Sequence, residues 1–391
     1  MNNVLDLKGY CTGCAACSVI CPSKAITMEK NQEGFFSPAV DDKKCVSCGI
    51  CRKVCCKNTD YKRTPYIRLG ALQSNSKDVL KESSSGGIAA LLSRYFVESG
   101  NYVLGSFFDL KNNIIETKNT NKPDDLNAFK TSKYLQSNFY SGLSEAVKLA
   151  KSNKESKFII FGTPCQTNGA VNVCEYFGIK DQFTFVDFFC HGVPSYLVWE
   201  SYLDENKINP EQLTKVSFRN KKYGWQTCFI MNVADNTKEI STPSGKDAFY
   251  NAFFDNVFLN KSCYQCSFRK GYSKADIRLG DYWGKRHSND NEGVSSVVIY
   301  TKRGETLLKQ IDAKNLEVGE DLFDAQSTDD YIEEKYRDLA FKTLSSKQSL
   351  FKTIKIYRHQ FPIKKRFKLK AKKAVFTVLP MKVINKFKTK R

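Results

Sequence analysis

The chain has 391 residues, 41% hydrophobic and 13% aromatic, which suits two or three folded units and excludes a globally disordered protein. Its formal charge of +20 is concentrated after residue 351, where fifteen Lys and Arg meet no Asp or Glu; the preceding 351 residues carry only +5. That distribution argues against a nucleic-acid-binding body, and no run of about eighteen apolar residues offers a membrane span.

Four cysteines open the chain at the spacing C-x2-C-x2-C-x3-C in CTGCAACSVICP, residues 11–22, and CVSCGICRKVCC, residues 45–56, repeats it through Cys55. Residues 1–20 lack a basic stretch leading into an apolar one, so no leader is expected. The fifteen cysteines should then stay reduced in a cytoplasmic setting, which favours metal over disulfides. Three cysteines in x2 steps let a tight loop wrap three corners of an iron–sulfur cubane, and the x3 step carries the fourth to the neighbouring cluster. One [4Fe-4S] cluster is expected on Cys11, Cys14, Cys17 and Cys55, the other on Cys45, Cys48, Cys51 and Cys21. Two all-cysteine zinc sites are the alternative, but zinc usually pairs two separated C-x2-C knuckles. Cys56 stands where the first run has Pro22 and is expected to be a spare buried thiol.

A polar joint, NTDYKRTPY, follows at residues 58–66. Strand patterns then fall at 102–108, 158–162, 183–189, 227–233, 276–280 and 296–300, with helical patterns at 88–99 and 196–206. This predicts one α/β or α+β domain to about residue 345. SSSGG (83–87) precedes a helix and reads either as a phosphate cradle or as a capped helix start. TPCQ puts Cys165 at one strand end, and CHGVPS puts Cys190 and His191 at another. SCYQC adds Cys263 and Cys266, and together these four cysteines suit a third cluster. Cys174 and Cys228 read as buried apolar thiols. His191 suits a general acid or a satisfied structural histidine. No G-x-G-x-x-G occurs, so a Rossmann NAD site has no support.

The ordered set SSSGG, TSKYLQS (131–137), FGTPCQ, CHGVPS, SFRNKKYGW (217–225), CYQCSF and DIRLGDYWG resembles the coenzyme F420 hydrogenase/dehydrogenase beta-subunit family. The resemblance spans nearly everything from residue 81 to 284, and a fused two-cluster ferredoxin is a known arrangement there. It implies FAD and an inner [4Fe-4S] cluster in the large domain, with deazaflavin coenzyme as one candidate substrate. On this resemblance Ser84, Ser85, Gly86 and Gly87 hold flavin phosphate, and Lys133 and Gln136 lie near the cofactor. Cys165, Cys190, Cys263 and Cys266 ligate the inner cluster, and His191 is the candidate catalytic residue. Bacterial members of the family are similar in context to cell-surface polysaccharide genes, where an ordinary ferredoxin would be the donor.

The tail places Ile363, Phe367, Ala371, Ala374, Val375 and Val378 on one face of a helix at 3.6 residues per turn. Pro380 interrupts it, and Val383, Ile384 and Phe387 continue the apolar side among lysines. Such a helix suits an anionic membrane surface; a solvated tail is the alternative, and nucleic acid is not expected.

The expected fold is α+β: a ferredoxin-like two-[4Fe-4S] module (1–60), a large mixed α/β flavin-type domain (66–345) and a basic C-terminal tail (346–391). The expected function is an iron–sulfur flavoprotein oxidoreductase with an electron-transfer protein as partner, cytoplasmic or peripheral at the inner membrane face. A non-catalytic electron-delivery subunit is the alternative.

Overall fold

Both cysteine runs enter a short helix through left-handed backbone. In the computed structural model, which describes residues 2–7, 9–58, 62–222, 224–225, 230–323 and 329–378, α1 (Ala16–Ile20) follows Ala15 at φ 63°. After the antiparallel hairpin of β1 (Ile26–Lys30) and β2 (Phe36–Val40), α2 (Ile50–Lys53) follows Gly49 at φ 71°. Two residues earlier Gly13 and Ser47 are also left-handed, at φ 71° and 52°. The runs therefore repeat each other in conformation as well as spacing, although Ala15 and Ser47 each cost about 1 kcal/mol for the positive φ.

The large domain is a nine-stranded mixed sheet. In chain order it is built from β3 (Arg68–Ser74), α3 (Lys77–Glu82), α4 (Ile88–Glu98), β4 (Tyr102–Asp109), β5 (Ile114–Thr120), β6 (Ser137–Asn138), α5 (Tyr140–Ser152), β7 (Phe158–Gly162), α6 (Pro164–Tyr176), β8 (Phe183–Phe188) and α7 (Tyr196–Glu205). A separate antiparallel sheet of β9 (Leu213–Asn220), β10 (Ile230–Asp235) and β11 (Glu239–Pro243) comes next, followed by α8 (Ala248–Phe254). The chain then returns to the large sheet with β12 (Ile277–Asp281), β13 (Ser295–Ile299), α9 (Lys302–Leu308) and β14 (Ala313–Leu316).

Its strand order is β14-β3-β13-β12-β8-β7-β4-β5-β6. Strands β12, β8, β7 and β4 run parallel at the centre. Helices cover both faces of such strands, so all five residues of Phe158–Gly162 are buried. Five expected strands appear within a residue or two as β4, β7, β8, β12 and β13, and the two expected helices appear as α4 and α7. Of the strand pattern at 227–233, residues 227–229 lie outside the described residues and the rest falls in β10.

The C-terminal part adds α10 (Arg337–Ser345), α11 (Leu350–His359) and α12 (Ile363–Val378). Leu350, Ile354, Tyr357 and Phe361 are buried in the same apolar cluster as Trp199 and Phe249. The stretch from 346, read from sequence as tail, thus begins inside the core. Basic surface helix starts at α12, where Ile363 and Phe367 are 69% and 67% exposed. Pro380, Val383, Ile384 and Phe387 lie outside the described residues. Among the described residues no helix is long and apolar enough to cross a membrane.

Candidate functional site

The parallel strands β4, β7, β8 and β12 deliver their carboxyl ends to one cavity of about 1540 Å³. Ligand sites in open α/β sheets form at such ends, and this volume exceeds the ~300–1,000 Å³ of an ordinary small-molecule pocket. Cys165, Cys190, Cys263 and Cys266 line one part of it, and Ser83, Ser84, Ser85 and Gly87 line another. Thr12 and Lys57 of the ferredoxin-like module reach its wall.

The cysteines fall into three groups. Cys11 lies beside Cys14 and Cys55, and Cys17 beside Cys14, Cys11 and Cys55. Cys21, Cys45, Cys48 and Cys51 surround one small recess with Asn2 and Asn3. The fourth cysteine of each run therefore sits with the first three of the other. In the cavity Cys165 neighbours Cys190 and Cys266, and Cys263 neighbours the same pair.

Burial, then the proximity of Cys14, pushes the Cys11 thiol up to about 12. Burial and Cys266 push Cys190 up to about 11, and burial with Cys266 and Cys190 pushes Cys263 up to about 12. Such crowded thiolates are unfavourable unless a cationic core sits among them, and soft thiolate ligands select iron–sulfur clusters or zinc. The two four-cysteine sets of residues 11–55 are the donor type that cluster iron takes; among the described residues no three His, Cys, Asp or Glu side chains close on a single metal ion. Cys56 is buried and hydrogen-bonds both Cys14 and Cys55. Cys174 is buried in α6; Cys228 lies outside the described residues.

SSSGG leads directly into α4, with Gly87 at φ 83°. Gly86 has no room for a side chain, because a Cβ would stand 2.7 Å from the Ser295 backbone nitrogen. Ser84 Oγ accepts the Ser132 N–H at 2.8 Å, and Ser85 Oγ donates to the Val294 carbonyl at 2.8 Å. Ser85 thus spends its proton while Ser84 only accepts, so the turn offers a ligand the Ser84 O–H and the N–H groups of the first turn of α4, which have no intrahelical acceptor. Lys133 Nζ donates to the Lys130 and Ala128 carbonyls at 2.9 and 3.1 Å. Desolvation at the cavity wall lowers its ammonium to about 7.

Gln136 faces the cavity but spends its amide between modules. Its Oε1 accepts the Phe36 N–H at 2.7 Å, and its Nε2 donates to the Thr12 carbonyl at 3.1 Å. His191 Nε2 pairs with Asn256 Oδ1 at 2.7 Å, and Nδ1 faces Tyr331 Oη at 3.3 Å. Burial lowers its pKa to about 4, so the ring is neutral at pH 7, with Nε2–H donating to Asn256 and the Tyr331 hydroxyl donating to the His191 carbonyl at 2.9 Å.

Several residues of the site went unassigned in the sequence. Arg278 and Asp187 form a buried bidentate pair, both contacts at 2.7 Å. Arg278 also donates to the Phe268 and Tyr272 carbonyls, fixing the chain that follows Cys266. Arg269 holds the turn itself, donating to the Cys263 carbonyl at 2.8 Å and lying 3.9 Å over the Tyr331 ring. Arg219 pairs with Asp281 at 2.5 Å on the cavity wall, 5.4 Å from the Trp283 ring centroid. Arg219 and Arg278 lie inside the motifs SFRNKKYGW and DIRLGDYWG, and Arg269 directly follows CYQCSF; their pairing across the fold was hidden.

Residues 155–322 match the family described as the C terminus of the beta subunit of coenzyme F420 hydrogenase/dehydrogenase. Residues 10–59 match the 4Fe-4S dicluster domain. Among solved structures, a chain from the F420-reducing [NiFe] hydrogenase complex of Methanosarcina barkeri aligns over 78% of this chain and 97% of its own, at 19% identity and a TM-score of 0.48. No curated protein sequence matches the chain.

Proposed function

Because residues 155–322 match the coenzyme F420 hydrogenase/dehydrogenase beta-subunit family and residues 10–59 ahead of them match a 4Fe-4S dicluster domain, we propose that the chain is an iron–sulfur flavoprotein oxidoreductase in which one cavity joins a flavin to an inner cluster. The two matches support an iron–sulfur electron-transfer protein of oxidoreductase type. The observation that carries the finer reading is the shared cavity: the helix-start turn at Ser83–Gly87 and the four-cysteine group open into the same volume.

FAD fits this cavity by size and by the N–H groups of the α4 start. When bound, a flavin accepts a hydride and passes on single electrons. The chain's own residues do the remaining work. The α4 start would hold phosphate, while Lys133, whose Nζ donates to the Ala128, Lys130 and Thr131 carbonyls, would line the cavity wall beside the cofactor. The Arg219–Asp281 pair, backed by Trp283, would fix the orientation of a ring system against the wall. Cys165, Cys190, Cys263 and Cys266 would ligate the inner cluster, and the Arg278–Asp187 pair holds the segment after Cys266 in place. His191, neutral and fixed by Asn256, with its carbonyl holding the Tyr331 hydroxyl, is better suited to orient Tyr331 and the adjoining Cys190 than to shuttle protons.

Anaerobic reconstitution with FAD, iron and sulfide tests the reading. About twelve iron atoms per chain, four per cluster, and one flavin are expected; Cys263→Ala with Cys266→Ala should remove about four. A preparation that takes up no flavin returns the protein to an electron-delivery subunit. Reduced ferredoxin, NADH and reduced deazaflavin are the donors to screen. Sugar intermediates of cell-surface polysaccharide synthesis are the first acceptors.

A peripheral membrane contact is a second element of the proposal, supported by the exposed Ile363 and Phe367 on lysine-rich α12. Flotation with anionic and neutral liposomes, with and without residues 363–391, checks it. Binding that survives the deletion rejects the contact.

A further inference from the structure

The two clusters of the ferredoxin-like module are not placed equally. Helix α6 begins at the cavity with Cys165 as its second residue. Gly169, one turn later on the same face, lies against the module: a Cβ there would stand 2.9 Å from Cys14 Sγ and 3.2 Å from the Ala16 Cβ. One helical turn, about 6 Å of rise, therefore separates the inner cysteine group from the Cys14 group. Cys14 and Cys17 are buried. On its far side the Cys14 group meets the other one through Cys17 and Cys51. The recess of Cys21, Cys45, Cys48 and Cys51 lies apart from the cavity, with Cys48 exposed and Val46 67% exposed.

We infer that electrons leave the cavity along the first turn of α6 into the cluster on Cys11, Cys14, Cys17 and Cys55, and reach a partner only through the cluster on Cys21, Cys45, Cys48 and Cys51, with Gly169 as the positioning residue that sets the closest approach. The inference rests on the proposed inner cluster. Each step moves one electron and makes or breaks no bond: the donating cluster is oxidised by one and the receiving cluster reduced by one. A reduced flavin or deazaflavin in the cavity supplies the electrons, and a one-electron carrier protein at Cys48 removes them. Glycine at 169 is required by this contact rather than by its backbone, which is helical. A methyl group 2.9 Å from Cys14 Sγ is closer than side-chain carbons come, so Cys14 or α6 must shift, and a branched side chain forces a larger shift.

The test uses the reconstituted full chain and its Gly169→Ala and Gly169→Val variants. Iron content should stay at the wild-type value. The EPR spin–spin interaction between the inner cluster and its neighbour should weaken in the order wild type, Ala, Val. Arrival of electrons at the ferredoxin-like clusters from reduced deazaflavin should slow in the same order, most in Gly169→Val, while their direct reduction by dithionite stays unchanged. If the Val variant loses iron, the Ala variant decides by the same readouts.

Cys14→Ser should alter the inner cluster's EPR interaction, and Cys48→Ser should leave it intact; the reverse pattern overturns the assigned order. Full iron with unaltered coupling and rate in the Gly169 variants overturns this inference alone. A wild-type protein holding only about eight iron atoms, the content of two clusters, overturns the inner cluster and this inference with it.

Discussion

Cys56 shows how one substitution within a familiar spacing acquires a consequence. Its thiol lies between Cys14 and Cys55, with Thr12 Oγ1 at 3.4 Å from its sulfur, where the first run has a proline that offers no such donor. A hydrogen bond to a cluster sulfur favours the reduced, more negative state. Cys56→Ala should therefore keep both clusters but lower the potential of the Cys14 cluster by about 40 mV, the equivalent of one hydrogen bond of about 1 kcal/mol. A redox titration followed by EPR reads this, and an unchanged potential removes the bond from the account.

Away from the clusters, burial raises the Asp247 carboxyl from 3.8 to about 6, although it accepts from Tyr202 Oη at 2.8 Å and the Tyr250 N–H at 3.0 Å. Between pH 4 and 6 the folded state then binds more protons than the unfolded one, so stability falls as pH rises through that window and the penalty persists above it. Asp247→Asn keeps a cap for α8 and removes the charge. It should raise the thermal midpoint at pH 7, by roughly 1–3 kcal/mol in stability, with a smaller gain at pH 4.5. A loss at pH 7 refutes this balance. At this scale the grouping of the eight N-terminal cysteines was legible, because a cubane needs local loops of fixed spacing. Asp247 was not, since its environment is built by residues distant in the chain.

Among the elements, the central strands were legible because a parallel strand buried on both faces writes itself as an apolar run such as FIIFG. The β9–β11 sheet and the short β6 carry no such run, and their pairing is set by neighbours. The β1–β2 hairpin was hidden between two dominant cysteine motifs. The same division applies to the site: Cys263 and Cys266 were visible, but what holds them was not. Arg278 faces Asp187 across the parallel pair β12–β8, and Ser273 Oγ donates to the same carboxylate at 2.8 Å. Removing only the arginine leaves a buried carboxylate unpaired, so Arg278→Met should cost about 3–5 kcal/mol. It should also release the Phe268 and Tyr272 carbonyls and lower iron retention at the inner group. Arg278→Met with Asp187→Leu should recover much of the stability but not the iron. A double variant as unstable as the single one contradicts the pairing account, and unfolding monitored by tryptophan fluorescence measures both.

Across the whole molecule, the ferredoxin-like module is a docked wall of the cavity rather than a pendant carrier. The β1–β2 turn presents Glu33, whose carboxylate takes both Arg337 nitrogens at 2.5 and 2.6 Å. Ser195 Oγ donates to the Glu33 carbonyl, and the Tyr196 N–H donates to that of Gly34. Arg337 is 1% exposed and reaches back 304 residues, a separation at which no sequence pattern signals contact. The Arg337 hydrogen bond holds the Glu33 carboxyl below its usual range, so the clamp contributes fully above about pH 4.5 and is lost as pH falls through that lowered value. The glutamate side chain is one-third exposed, which reduces the contribution below that of a fully buried pair, to about 1–3 kcal/mol. Glu33→Gln should therefore leave iron in the module unchanged but loosen its seat. The expected readouts are faster protease cleavage at the β1–β2 turn at pH 7 and slower transfer from the cavity to the module. Lowering the pH to 4 should bring wild type toward the variant in cleavage rate. Equal cleavage of the two proteins at pH 7 would mean that Gln136, Ser195 and the packing of Phe36 against Tyr196 hold the module without the ion pair.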